Sequence, residues 1–336
     1  MCKITFAQDT STVIYQQYLK DKARFEHFEK EHRGYVEGAN HRLAFLHWGN
    51  PEDKVFIWLP GSLLSAYDFE PFAESLVSMG YYVLSVDHYG HGLTEIPARD
   101  LDFYDFADDL SMLLKKLSIE KVVVGGFSRG GYLATAFYER YPDKVDGLIL
   151  EEGGSVAFKS LFEEMDREYL DEFLQNVEPP HEIKEYLFEQ YASEFEAYKN
   201  IYEINGGGGN SQSFGFFKKT GDRWVIYYGL NEYMNMEDSV HYAQVLNYPE
   251  TVSRYASSMM RIEPLKAYKN LKVPMLIIDA TKEPDAFDSK WGNEKLKQMH
   301  PNLIDHQEFD CDNHNIHYGC PERFLESVKE FLGKLE

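Results

Sequence analysis

One ten-residue run, Val122-Val123-Val124-Gly125-Gly126-Phe127-Ser128-Arg129-Gly130-Gly131, constrains this chain more than any other. Its β-branched start reads as a buried strand, and Tyr132 to Arg140 beyond it reads as a helix. Between them Gly126, Ser128 and Gly130 stand in a Gly-x-Ser-x-Gly spacing. A turn that reverses a strand directly into a helix brings the two backbones too close for larger flanking side chains, and the apical residue is strained. The spacing alone arises often by chance as a glycine-rich turn. With a strand before it and a helix after it, it predicts a nucleophile elbow, a serine hydroxyl lifted above the edge of a sheet.

The chain has 336 residues, enough for one large domain or two small ones and a sizeable core. Its 34 basic residues against 56 acidic ones give a formal net charge of −22. Nucleic-acid binding needs cationic surface to displace counterions, so that class is excluded, and anionic membrane surfaces are disfavoured. Solubility is the plainer use of the charge. No stretch approaches the ~20 apolar residues that span a bilayer, and residues 1–9 lack the apolar core of a signal peptide. The cysteines are Cys2, Cys311 and Cys320. That is too few for a disulfide framework, and no Cys-x-x-Cys or Cys/His metal spacing is present. The expectation is a cytoplasmic protein with free thiols at 311 and 320 and neither metal nor cofactor.

Strand-like and helix-like runs alternate on both sides of the serine. Arg42 to Trp48, Val55 to Leu59, Tyr82 to Val86 and Val145 to Leu150 read as strands, with helices near Asp68 to Met79 and Phe103 to Leu117. This β-α-β-α order predicts an α/β fold with a mostly parallel central sheet and right-handed crossovers. It breaks after Glu152 and resumes with Val273 to Asp279 and a helix from Pro321 to Leu332. The expected organisation is an N-terminal helical extension over 1–34, a core over 35–154 and 262–336, and a helical cap over 155–261 inserted after the sixth strand. Ligands of open α/β sheets bind at the carboxyl edge of the strands, where such a cap belongs. The tract Gly206–Gly209 reads equally as a lid hinge or a surface loop.

Three further segments join the elbow: Leu59-Pro60-Gly61-Ser62; Asp87-His88-Tyr89-Gly90-His91-Gly92-Leu93-Thr94; and Asn313-His314-Asn315-Ile316-His317. Together they resemble the α/β-hydrolase superfamily, in particular capped serine hydrolases of the esterase or proline-iminopeptidase type. In that family the first segment is usually His-Gly-x, the second Asp-x-Arg-Gly-His-Gly-x-Ser and the third Gly-His-x-x-His. The resemblance implies Ser128 as nucleophile and His314 as its base, with His317, His88 and His91 structural.

A triad also needs a carboxylate to orient the imidazole, in chain order Ser, acid, His. The family's Gly-x-x-Asp pattern overlays Ala280-Thr281-Lys282-Glu283, which makes Glu283 the expected acid, with Asp285 as its competitor and Glu152 as a third option. The oxyanion hole is expected from the backbone N–H groups of Arg129 and Ser62; Pro60, which has no N–H, replaces the usual histidine. The Arg129 side chain reads as a surface salt bridge or a partner for a substrate carboxylate.

Substrate contacts are expected from Phe127, Glu152, Trp224 and Tyr228. The cap aromatics Phe214, Phe216, Phe217, Trp224, Tyr227, Tyr228 and Tyr233, with Met234, suit an apolar or aromatic group if they line a pocket, and otherwise pack the cap's own core. The leading expectation is a cofactor-free esterase acting through an acyl-enzyme on a small or medium ester. An aminoacyl amidase or peptidase is the alternative, with Glu151, Glu152 or cap carboxylates binding the substrate's amine. Carbon–carbon bond hydrolysis by the same triad and a non-catalytic ligand-binding relative stand as further readings. The expected partner is a small-molecule ester or aminoacyl substrate, with the oligomeric state, a homo-oligomer included, left open.

Overall fold

The computed structural model describes residues 10–160, 189–208, 211–226, 233–236, 239–282 and 290–335. The chain divides into two compact units, one of residues 1–33 with 179–228 and one of residues 34–178 with 229–336. The N-terminal helix α1 (Thr10–His32) therefore shares a unit with residues 179–228. That division runs along different lines from extension, core and cap.

The larger unit is built on an eight-stranded sheet. Its strands are β1 (Arg33–Glu37), β2 (Arg42–Trp48), β3 (Lys54–Leu59), β4 (Tyr81–Val86), β5 (Val122–Phe127), β6 (Val145–Glu151), β9 (Met275–Ala280) and β10 (Ile304–Phe309), in spatial order β1-β2-β4-β3-β5-β6-β9-β10. β2 runs antiparallel to β4, and every pairing from β4 through β10 is parallel. All six residues of β5 are buried, as are Val55 to Leu59 of β3, so these central strands carry apolar side chains on both faces. The helices α2 (Glu70–Val77), α3 (Phe103–Lys116) and α4 (Arg129–Arg140) follow β3, β4 and β5. α3 starts on a capping box in which Asp102 accepts from the Asp105 N–H and Asp105 accepts from the Asp102 N–H, each at 2.9 Å.

The smaller unit has its own aromatic core. Tyr18 of α1 packs against Tyr198 of α5 (Glu194–Ile204) and against Phe214, with ring centroids 5.4 and 5.7 Å apart. Phe217 and Ile226 join that cluster, and Phe216 and Trp224 lie partly buried against it. Residues 217–226, read from sequence as part of a helical cap, form an antiparallel hairpin, β7 (Phe217–Thr220) with β8 (Arg223–Ile226). Its two-residue turn Gly221-Asp222 places Gly221 at φ 63°, the left-handed backbone that such turns demand. Gly206 and Gly207, at φ 66° and 86°, close the end of α5 through N–H bonds to Glu203 and Tyr202. In this structure the described part of the glycine tract is a helix cap.

Candidate active site

Strain marks the site before any side chain is considered. Five described non-glycine residues have positive φ, and three of them stand just beyond adjacent sheet strands: Leu63 (φ 68°) after β3, Ser128 (φ 49°) after β5 and Glu152 (φ 51°) after β6. Each costs on the order of 1–3 kcal/mol and persists only where the surroundings over-determine it, as they do at functional sites.

Ser128 is the single residue between β5 and α4, at φ 49°, ψ −117°. Its N–H donates to the Glu151 carbonyl at 2.8 Å, and its carbonyl accepts from the Gly131 N–H at 2.9 Å. The flanking glycines are required by contact. A Cβ on Gly126 would lie 2.3 Å from the Gly130 carbonyl oxygen, and one on Gly130 would lie 1.9 Å from the Leu59 oxygen. Gly131 and Gly153 are pressed together in the same way, a Cβ on Gly131 meeting the Gly153 oxygen at 2.2 Å. The first turn of α4 is thus wedged against the ends of β3 and β6.

The described carboxylate paired with His314 is Glu152, its Oε2 3.6 Å from the imidazole Nδ1. The expected acids Glu283 and Asp285 lie outside the described residues, as does Tyr228. The positive φ of Glu152 turns the chain as it leaves β6, and its Oε1 accepts the Ala280 N–H at the end of β9. Burial pushes its carboxyl up to about 7, against the opposing pull of His314 and the Ala280 N–H, and the charge on Asp279 adds to the rise. His314 packs on Phe127, the residue before Ser128, with ring centroids 5.0 Å apart. Phe127 is buried and also edges onto His317 at 5.2 Å, so its ring supports the two histidines.

Beneath this pair lies a second, fully buried array that sequence reasoning missed. His317 sits between two carboxylates, Nδ1 2.8 Å from Glu151 and Nε2 2.9 Å from Asp68, and all three side chains are 0% exposed. Burial alone would lower the imidazole's pKa; the two carboxylates override it and hold it up at about 10. Trp58 Nε1 donates to the other Asp68 oxygen at 2.9 Å, and the His317 N–H donates to Glu151 at 2.9 Å. Glu151 is also the residue whose carbonyl receives the Ser128 N–H. One imidazolium therefore ties the loop after β3, the end of β6 and the His314 loop together.

The remaining motif residues shape the turns around Ser62. Asp87 accepts N–H bonds from Ala66 at 2.6 Å and Leu93 at 3.1 Å, and a Cβ on Gly92 would lie 2.1 Å from the Asp87 carboxylate. Ser62 and Arg129 are brought together: Arg129 Nε donates to Ser62 Oγ at 2.9 Å. The Arg129 side chain is no surface group, being only 3% exposed, with its guanidinium 5.8 Å from the Phe103 ring and 5.9 Å from Tyr255. Trp224 belongs to the other unit, where its backbone bridges to Tyr191 and its ring lies against the aromatic cluster. Cys311 and Cys320 are free thiols. No described cluster of His, Cys, Asp or Glu has the makings of a metal site, and no described helix is long and apolar enough to cross a membrane.

The strand order and the strand–turn–helix around Ser128 define a fold class. Residues 54–214 match the family model for the alpha/beta hydrolase fold. The AB hydrolase superfamily protein YisY of Bacillus subtilis is 32% identical over 128 residues, 37% of this chain and 46% of that protein. This chain thus spans less than half the length of that curated relative. Among solved structures, E-2-(acetamidomethylene)succinate hydrolase superposes with a TM-score of 0.61 at 16% identity, over 90% of this chain and 98% of the other. Carboxylesterase CesB (YbfK) from Bacillus subtilis does so with a TM-score of 0.56 at 16% identity, over 96% and 98%. The chain has the α/β-hydrolase fold.

Proposed function

We propose that this protein is a serine esterase working through an acyl-enzyme, with Ser128 as nucleophile, His314 as base and Glu152 as the acid that orients it. The observation that carries the reading is the Glu152–His314 pair at the end of β6, beside a serine in strained elbow geometry. His314 takes the Ser128 hydroxyl proton as Oγ attacks the ester carbonyl, and the imidazolium gains the Glu152 carboxylate as counter-charge. The tetrahedral oxyanion is met by the Ser62 and Arg129 N–H groups. Collapse expels the alcohol, which takes its proton from His314. Water, deprotonated by the same imidazole, then hydrolyses the acyl-serine and regenerates the hydroxyl.

Esters are favoured over aminoacyl amides because the two carboxylates at the end of β6 are already engaged. Glu151 is held by His317 and Glu152 by His314, so neither is left to anchor a substrate ammonium. The cytoplasmic compartment and the small-molecule partner belong to the same proposal. The test is a panel of p-nitrophenyl esters of increasing acyl length beside aminoacyl p-nitroanilides. Ester turnover abolished by Ser128→Ala supports the reading; anilide turnover exceeding that of every ester replaces it with the amidase reading.

A further inference from the structure

Ser62 must aim its N–H at a developing oxyanion, yet its loop does not hold itself. Residues 61–64 form a turn in which the Leu64 N–H reaches the Gly61 carbonyl at a long 3.4 Å. Its third residue, Leu63, stands at φ 68°, a backbone that favours glycine. Something outside the turn has to fix the Gly61–Ser62 peptide. That peptide is trans, as all described peptides are, so the Gly61 C=O and the Ser62 N–H point in opposite directions from one rigid plane. A group that grips the oxygen on one side sets the direction of the hydrogen on the other.

The group in place is His88. Its Nε2 is 3.3 Å from the Gly61 oxygen, and its Nδ1 is 2.6 Å from the Tyr255 hydroxyl. A carbonyl only accepts, so Nε2 must carry the hydrogen; Nδ1 is then the acceptor, and the Tyr255 hydroxyl donates to it. Tyr255 is itself anchored. The neighbouring Arg254 is bonded to Asp100, Asp102 and Asp105, and the Tyr233 ring stacks on Tyr255 at 4.9 Å and 16°. The His88 ring is fully buried, with His91 against it at 3.6 Å. Burial, aided by the Arg129 charge, holds its pKa down at about 3, so a proton does not erase the tautomer at working pH. On the far side of Ser62, Arg129 Nε holds the hydroxyl at 2.9 Å.

We infer that His88, locked as its Nε2–H tautomer by Tyr255, is a positioning residue that aims the Ser62 N–H into the oxyanion hole. The inference rests on the esterase reading above. A well-placed oxyanion donor is worth 10²–10³ in kcat, so a misaligned one should cost about 10- to 100-fold. The effect belongs to the transition state and leaves ground-state binding alone. His88→Ala should lower kcat on p-nitrophenyl butyrate by about 10- to 100-fold with KM within about threefold. It should weaken a benzyl trifluoromethyl ketone, whose adduct places an oxyanion in the same hole, by the same factor. His88→Gln returns an N–H donor near the Nε2 position and should recover most of the loss. Where His88→Ala does not fold, Tyr255→Phe serves, since it removes only the hydroxyl that fixes the tautomer; kcat and ketone affinity should fall together by several-fold.

Wild type active with the folded variant equally active, or kcat and ketone affinity moving independently, overturns the inference. So does a 15N spectrum of the wild-type imidazole showing Nδ1 protonated, whatever the turnover. A wild-type chain inert toward every ester fails at the step before, and takes the esterase reading down with it.

Discussion

Replacing Glu152 by glutamine should separate catalysis from stability and move them in opposite directions. In the folded chain this carboxyl is pushed up to about 7 from an ordinary 4.5, mainly by burial. The folded state therefore holds a proton through a pH range in which the unfolded chain has lost it. Stability is unaffected below about pH 4.5, falls as pH rises toward 7, and stays reduced above. At 1.36 kcal/mol per pH unit, the carboxylate costs the fold about 3 kcal/mol at pH 8. Glutamine has no charge to desolvate, and its amide oxygen can still accept the Ala280 N–H. Urea unfolding at pH 5 and pH 8 should show the variant gaining about 2.5 kcal/mol on wild type between the two, since part of the loss is already present at pH 5. Ester turnover should meanwhile fall by roughly 10³–10⁴, the scale seen when a triad acid loses its charge. Wild-type kcat/KM should decline as pH drops through 7, where Glu152 takes up its proton. A variant that keeps wild-type turnover, or one whose stability relative to wild type is the same at both pH values, refutes the assignment. Glu283→Gln or Asp285→Asn, made in parallel, should change kcat by no more than a few-fold if Glu152 is the acid.

Other perturbations follow from the same geometry. His317→Gln strips the counter-charge from two buried carboxylates and should cost about 3–5 kcal/mol in urea unfolding at pH 7. With His317 held protonated to about 10, its contribution is full below pH 6.5 and is lost as pH climbs toward 10, so the gap between wild type and variant should narrow over that range. Gly130→Ala would drive a methyl to 1.9 Å from the Leu59 oxygen. It should lower the melting temperature and abolish turnover together, whereas Ser128→Ala should abolish turnover and leave the melting temperature unchanged.

The elbow was legible because its demands are local: a β-branched strand, a serine between two glycines and a helix occupy consecutive positions. Strands buried on both faces, such as Val55 to Leu59, announce themselves as unbroken apolar runs for the same reason. β10 is harder to see, since Asp305-His306-Gln307-Glu308 lies on the sheet edge and only Ile304 and Phe309 need be apolar. The hairpin over 217–226 did carry a signal in Gly221-Asp222, a turn dipeptide between two short runs, obscured by the lysines and threonine around it. Glu152 and the Asp68–His317–Glu151 array are different in kind. Their partners are 162 to 249 positions apart in the chain, brought together by parallel strands ending at one edge. Nor does sequence display the positive φ that distinguishes Glu152 from Glu151, although it is this backbone twist that sends one carboxylate to His314 and leaves the other beneath, on His317. The family motif directs attention to the residues after β9 and leaves Glu152, at the end of β6, as its third option.

The central claim is that Ser128 is an activated nucleophile, and covalent labelling tests it most directly. Intact protein is treated with a fluorophosphonate, and the adduct is located by peptide mapping before and after heat denaturation. The account predicts a single adduct on Ser128 that forms on the folded chain, is lost on denaturation and is strongly slowed by Glu152→Gln. A folded chain that takes up no label, or takes it elsewhere than Ser128, contradicts it.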